Sequence, residues 1–139
     1  MANVDELAIN QLTEQILGAC IEVHRHVGPG LLESAYEDCI VHELGERGLP
    51  CERQVPVPLV YKGITLSEAY RLDVLVARRV VLEIKAIERL LPVHEAQLIT
   101  YLRLADVGVG LLMNFHTPRL RDQLKRFVNP AHAIARVSP

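Results

Sequence analysis

The stretch that most limits how this chain can fold is Arg71-Leu72-Asp73-Val74-Leu75-Val76-Ala77-Arg78-Arg79-Val80-Val81-Leu82-Glu83-Ile84-Lys85. It reads as two apolar strands joined by a short charged turn, with two acids and a lysine set into the strands. A carboxylate flanked by Val and Leu is drawn into a half-buried sheet face. There it costs roughly several kcal/mol unless it is paired or bound to a metal.

Residues directly opposite each other in an antiparallel hairpin point to the same side, and side chains alternate along each strand. On the second strand Val81, Glu83 and Lys85 share a face; on the first, Arg71, Asp73 and Leu75 share one. A three- or five-residue connection centred on Arg78 sets Asp73 opposite Glu83. A two-residue turn sets Val74 there and sends Asp73 to the other face. The spacing therefore predicts an odd loop and a polar set of Asp73, Glu83 and Lys85. Leu72, Val74, Leu82 and Ile84 are expected to pack on the opposite face.

Composition bounds the rest. The chain has 139 residues, 50% of them hydrophobic, enough for one domain spanning 1–139 with its own core. A formal charge of -2 supplies no global basic field, so nucleic-acid phosphates would have to be met by a local patch. Cys20, Cys39 and Cys51 form no CxxC pair and cannot all pair within the chain. That argues for a reducing compartment and for cysteines used as small packed residues. Met1 to Asn10 carries acids where a signal peptide has a basic region and an apolar run, and no apolar stretch is long enough to span a bilayer. A cytoplasmic location is the default expectation.

Along the chain, Leu12, Ile16, Ala19, Cys20, Val23 and Val27 form a helical stripe over 11–27, with Asn10 as N-cap. Gly28-Pro29-Gly30 breaks it. A second helix is expected over 31–47, stopped by Gly48, with Leu32, Ala35, Tyr36, Cys39, Ile40 and Leu44 inward. Glu33 lies beside that stripe, either facing inward or placed in the first turn by the helix dipole. Residues 52–61 read as a strand that Pro56 and Pro58 confine to an edge. With Lys62-Gly63 as turn, a strand from Ile64 through Tyr70 into Asp73 completes a three-stranded antiparallel meander. Pro92 precedes a helix over 93–104 that packs Ala96, Leu98, Ile99 and Leu102 on the sheet. Val107 to Met113 is a buried strand reached by that helical crossover. Pro118 opens a last helix to Val128 with Leu120, Leu124, Phe127 and Val128 inward. The order ααβββαβα indicates a mixed α/β sandwich. Residues 129–139, with Ile134 and Val137, form an added strand, an oligomer contact or a loose tail.

Two carboxylates on adjacent strands, joined by a third from a helix, suit Mg²⁺ or Mn²⁺, hard ions that prefer oxygen ligands. The backbone carbonyl of Ile84 offers another oxygen. A lysine two residues after the acid, on the same face, can serve an attacking water or neutralise charge on a phosphate. These parts suffice for metal-assisted phosphodiester hydrolysis. The plainer reading of Asp73, Glu83 and Lys85 is an exposed sheet face with a cross-strand ion pair. His24 and His26 are placed to cap the first helix's carbonyls. His94 and Glu95 stand near the start of the helix that carries Gln97. Arg119, Arg121, Lys125 and Arg126 make the densest basic cluster, and Arg78 with Arg79 marks a turn; solvated faces and phosphate contacts are the two readings of each. With 4% aromatic residues and no tryptophan, composition argues against a base-stacking platform.

Asp73 followed by Glu83-Ile84-Lys85 resembles the PD-(D/E)xK nuclease superfamily, and Gly30-Leu31-Leu32-Glu33-Ser34-Ala35-Tyr36 is similar to the signature of its GxxExxY branch. The resemblance extends to Glu22-Val23-His24-Arg25, Tyr70-Arg71-Leu72-Asp73, Leu91-Pro92-Val93-His94-Glu95-Ala96-Gln97 and Gly110-Leu111-Leu112-Met113-Asn114-Phe115, nearly the whole chain. Leu72 stands where many members have proline. The resemblance implies a restriction-endonuclease-like core, a mixed β-sheet flanked by helices, and a Mg²⁺- or Mn²⁺-dependent nuclease acting on DNA. It implies that Glu33, Asp73 and Glu83 hold the ion and that Lys85 serves the water. Gln97 and Tyr101 are similar to the QxxxY element of RecB-like and lambda-exonuclease-like members, which supports the site or contacts nucleic acid. Tyr36 and His24 are expected as supporting residues, His24 because helix-borne histidines join the metal shell in some RecB-like members. The alternative is a nuclease fold without catalysis, a homo-oligomeric scaffold or binding module. It draws on the weak basic character, the proline-interrupted strand and the Ile134 and Val137 tail.

Overall fold

A computed structural model describes residues 7–132, and its sheet is built outward from the two most apolar strands. These are β3 (Val80–Lys85) and β4 (Val109–Asn114), paired in parallel. Buried on both faces, a parallel pair needs a helical crossover, and α3 (Pro92–Ala105) supplies it. Antiparallel strands complete the sheet: β1 (Cys51–Tyr61) and β2 (Ile64–Val76) on one side, β5 (Leu124–Val128) on the other, in the order β1-β2-β3-β4-β5. The helices α1 (Ile9–Val27) and α2 (Glu33–Glu46) cover one face and α3 the other. This is the mixed sheet flanked by helices that the sequence predicts, with Pro56 and Pro58 on an edge strand and with a fifth strand that the sequence reading lacks.

Two cores result from strand alternation. Val80, Leu82, Ile84, Val109, Leu111 and Met113 point to α1 and α2. Val81 and Leu112 point to Leu98 and Leu102 of α3. At Gly110 an added Cβ would lie 2.8 Å from a Leu98 methyl, so the missing side chain lets α3 press against β4. Cys20 is buried, and burial pushes its thiol up to about 12, as befits a packed, unreactive residue. Among the described residues no helix is long and apolar enough to cross a membrane.

Several expected details are overturned. The segment expected as a last helix forms a short 3₁₀ turn (Leu120–Gln123) and strand β5. Without it the buried strand β4 would have an unpaired edge. In β5 Leu124 packs toward α1 and α2 while Phe127 packs toward α3, the alternation of a strand. The chain order is therefore ααβββαββ. Asn10 does not cap the first helix, which starts two residues earlier, at Ile9 after Ala8. The second helix starts at Glu33, leaving Leu31 in the loop and Leu32 as a 77% exposed N-cap instead of a stripe residue. Ala96 and Ile99 of α3 face solvent, so buried Leu98 and Leu102 anchor that helix, with Tyr101, Leu104 and Ala105 partly buried beside them. Ile134 and Val137 lie outside the described residues.

The break between α1 and α2 is set by Tyr36. Gly28 and Gly30 take positive φ of 68° and 103°, which glycine adopts without strain. The buried Tyr36 hydroxyl donates to the Gly28 carbonyl (2.6 Å) and accepts from Leu31 N–H (3.2 Å), and its ring stacks on Phe115 with centroids 4.6 Å apart. This contact fixes where α2, and with it Glu33, begins. Tyr36→Phe should therefore cost about 1–2 kcal/mol in urea denaturation, with both loop groups losing their partner. An unchanged midpoint would remove the hydroxyl from this role.

Candidate active site

The β2–β3 connection is the three-residue loop Ala77-Arg78-Arg79, with Ala77 and Arg78 at positive φ of 50° and 53°. Val76 pairs with Val80, Leu75 with Val81 and Val74 with Leu82. The same register carries Asp73 to Glu83, as an odd loop requires. There the backbone ladder gives way to side chains. Asp73 Oδ2 accepts the Ile84 N–H at 2.8 Å, and Glu83 Oε1 accepts the Asp73 N–H at 3.4 Å. Each strand's acid takes an amide of the other strand, and β2 and β3 part beyond this point.

A second irregularity sits on the other side of Asp73. In the β1–β2 register Arg53 pairs with Val74 and Val55 with Leu72, but Gln54 and Asp73 between them are unpaired. Gln54 has a positive φ of 48°, an uncommon conformation for a non-glycine residue. Both strands exchange faces there. Arg53 reaches α2 and Val74 packs toward α1 and α2, whereas Val55 and Leu72 pack toward α3. This corrects the expectation that Leu72 joins Val74, Leu82 and Ile84: simple alternation fails at the unpaired Gln54–Asp73 step.

Glu37, which sequence reasoning passed over, holds the kink at Gln54. It is buried, its Oε1 accepts from the Gln54 side-chain amide (2.7 Å), and its Oε2 accepts from Arg53 Nε (3.0 Å) and Nη2 (2.8 Å). Arg53 also pairs with Asp38. Helical spacing was the available signal, since Glu37 lies one turn after Glu33 on the stripe of Ile40 and Leu44.

The segment after Lys85 is clamped from three directions. The Lys85 carbonyl accepts from Phe115 N–H (2.8 Å), and Glu33 Oε2 accepts from Ala86 N–H (2.9 Å). Buried Asn114 accepts from Ile87 N–H (3.1 Å) through Oδ1 and donates to the Ile87 carbonyl (2.9 Å) through Nδ2. Glu33 is thus an exposed first-turn acid that also ties α2 to the end of β3, so both readings of it hold in part. His24 does not cap its own helix. Its buried Nε2 meets the carbonyls of Thr117 (2.9 Å) and Phe115 (3.2 Å), so that nitrogen carries the proton and steadies the loop after β4. Tyr36, fully buried, supports from within the core and has no surface for nucleic acid.

Half-buried Asp73 and buried Glu83 lie side by side. Desolvation, foremost, and then the Asp73 charge push Glu83 up to about 8, against the pull of the Asp73 N–H and Lys85. Asp73 is raised by desolvation, partly offset by its bond from Ile84 and by Lys85. Glu33 and Glu37 add their charge from the α2 side, where an open hollow of about 490 Å³ is lined by Glu33, Ser34, Glu37, Gln54, Asp73 and Ile84. From the α3 side comes Tyr101, whose phenol is raised by burial and by the charges of Glu83 and Asp73. Gln97, one turn earlier, is exposed. Among the described residues no three His, Cys, Asp or Glu side chains stand as a ready metal-holding group, so the expected triad is a close pair with Glu33 at its margin.

The other candidates are drawn elsewhere. His94 Nδ1 accepts from Leu91 N–H (2.9 Å), capping α3, and Glu95 pairs with Lys125 (2.8 Å). Arg126 turns the opposite way to Asn10 (2.9 Å), so β5 splits the basic cluster that a helix would have gathered on one face. Arg78 pairs with Glu52 (2.6 Å), and Arg79 donates to the Leu7 carbonyl (2.8 Å).

The raised carboxyls fix the sign of a pH effect. Glu83 has an ordinary value of 4.5 when unfolded and about 8 when folded, so the folded state keeps a proton that the unfolded state has lost. Stability of the metal-free protein should fall as pH rises between those values, by on the order of a few kcal/mol. Thermal melts from about pH 5 to about pH 8 should show this decline, and Glu83→Gln should flatten it and melt higher at the alkaline end. An unchanged slope in Glu83→Gln would assign the decline to other groups.

Comparison with known proteins adds three findings. A family model described as PD-(D/E)XK nuclease superfamily matches residues 10–127. A solved structure, the crystal structure of SSO0001, is 19% identical with a TM-score of 0.48, covering 90% of this chain and 82% of that one. No curated protein matches.

Proposed function

This chain belongs to the PD-(D/E)XK nuclease superfamily, and from that premise we propose that it is a GxxExxY-type, divalent-metal-dependent nuclease that hydrolyses phosphodiester bonds in DNA. The observation that carries the reading is the pair of half-buried Asp73 and buried Glu83 at the strand fork, with Lys85 on the Glu83 face. Two neighbouring acids that desolvation pushes toward the protonated form, Glu83 further by the charge of Asp73, add nothing to the stability of an apolar sheet. They make sense as a site that a cation completes.

The donor set fits a hard ion. It is all oxygen, and a strand residue's N–H and C=O point the same way, so the Ile84 carbonyl is turned to the side from which Asp73 takes its N–H. Asp73, Glu83 and the Ile84 carbonyl would hold Mg²⁺ or Mn²⁺, with the oxygen that Glu33 does not give to Ala86. Such an ion, when bound, acidifies a water and polarises the phosphate. Lys85, its backbone fixed by Phe115, brings an ammonium to the same face to orient the water and offset charge on the phosphate. Tyr101 and exposed Gln97 line the substrate side on α3, and His24, Tyr36, Glu37 and Asn114 hold the frame.

One observation favours a second reading, a nuclease fold kept for assembly or partner binding: the described residues contain no preassembled three-ligand group. Metal titration separates the two. Calorimetry should record Mn²⁺ binding that Asp73→Ala abolishes and Lys85→Ala retains. DNA cleavage should fall about a hundred-fold or more in both variants. Full activity in both would sink the assignment, and absence of Mn²⁺ binding would favour the scaffold.

A further inference from the structure

Beyond Asp73 the β1–β2 hairpin outruns the sheet. β3 pairs with β2 only between Val74 and Val76, whereas β1 and β2 pair out to Tyr61 and Ile64, with a register shift between Val57 and Leu59. One face of the resulting arm continues the core beneath α3, since its register sets Val57 beside Tyr70, Leu59 beside Leu66 and Tyr61 beside Ile64. Exposure climbs along this face from 2% at Val57 through 37% at Tyr70 and 47% at Leu66 to 59% at Tyr61 and 60% at Ile64. A two-stranded ribbon is marginal in water, and an apolar face of this kind calls for a cover.

Position and charge identify the cover. Tyr70 lies about 10 Å along the strand from Asp73, and its ring meets Tyr101 of α3 at 5.5 Å between centroids, tilted by 50°. The face therefore runs unbroken into the wall of the carboxylate site. From 57 to 71 the cations are Lys62 and Arg71 alone. Lys62 lies 5.4 Å from the centre of the Tyr61 ring, and Arg71 is bonded to Glu68 (3.1 Å). A duplex turns its phosphates outward and is gripped mainly by cations. An unpaired strand offers base faces, which stack on tyrosine and rest against leucine and isoleucine. Composition argues against such a platform, but the fold gathers three of the four tyrosines, Tyr61, Tyr70 and Tyr101, along this one side.

We propose that the arm's face, centred on Tyr70 and Tyr101, is a platform for unpaired bases, so that the site acts on single-stranded or locally unpaired DNA. The proposal rests on the nuclease reading above and names its substrate. Fluorescence anisotropy with a labelled oligothymidylate and a blunt duplex of equal length, in Ca²⁺ at matched ionic strength, tests it without hydrolysis. The single strand should bind more tightly. Tyr70→Ala should weaken that binding roughly ten-fold and leave the duplex unchanged, Tyr70→Phe should retain it, and Leu66→Gln should weaken it less. Equal or tighter duplex binding, or a Tyr70→Ala loss common to both ligands, overturns the proposal. So does a dimer in dilute light scattering that Ile64→Asp dissociates without altering single-strand binding, since a second copy would then be the cover. Single-strand preference in a protein that never cleaves DNA would overturn the nuclease reading and leave the platform standing. Duplex cleavage without that preference would do the reverse.

Discussion

Everything near the site depends on one exchange of hydrogen bonds: Asp73 takes the Ile84 amide and Glu83 takes the Asp73 amide where the β2–β3 ladder stops. A sheet normally satisfies its amides with carbonyls, which are neutral and leave no side chain behind. Using carboxylates instead ends the pairing without leaving buried donors unpaired. It also draws two acids into a place from which they would otherwise be expelled. The amides partly offset the desolvation and Lys85 adds a smaller share, so the residual cost appears as raised proton affinity and not as a broken fold.

The fork holds its shape because the chain on either side is tied down. Glu37 supports the kink at Gln54 from α2, Asn114 and Glu33 hold the backbone after Lys85, and His24 holds the loop to which Asn114 leads. These ties come from α1, α2 and β4, which are remote in sequence from the hairpin. Such a frame fixes a side chain's origin while leaving its tip free, which a cation on a flexible stem requires.

The hairpin was legible because parity is a local property: the number of residues between two strands decides which side chains share a face. The crossover to β4 was legible for a similar reason, an apolar run too short for a helix. What failed needed distant information. Leu120, Leu124, Phe127 and Val128 suit one helical face as well as they suit β5, and only the open edge of β4 decides. Leu72 was misassigned because nothing in residues 71–85 announces that Gln54, far upstream, will invert the strand. Glu37 carried a readable periodicity, but its partners Arg53 and Gln54 lie across a turn and a strand, so its purpose was invisible. The basic cluster misled in the same way, since its shape depends on whether 124–128 coils or extends.

The register shift between Val57 and Leu59 has a consequence for how this architecture can change. Because the β1–β2 pairing resets there, the pairing beyond it is offset from the pairing that runs beside Asp73 and Glu83. Adding or deleting matched residues on either side of Lys62-Gly63 would lengthen or shorten the arm by about 3.3 Å per pair, with the fork untouched. Reach is thus an adjustable dimension of the protein and chemistry a fixed one, and relatives can differ in the first by insertion alone without relearning the second.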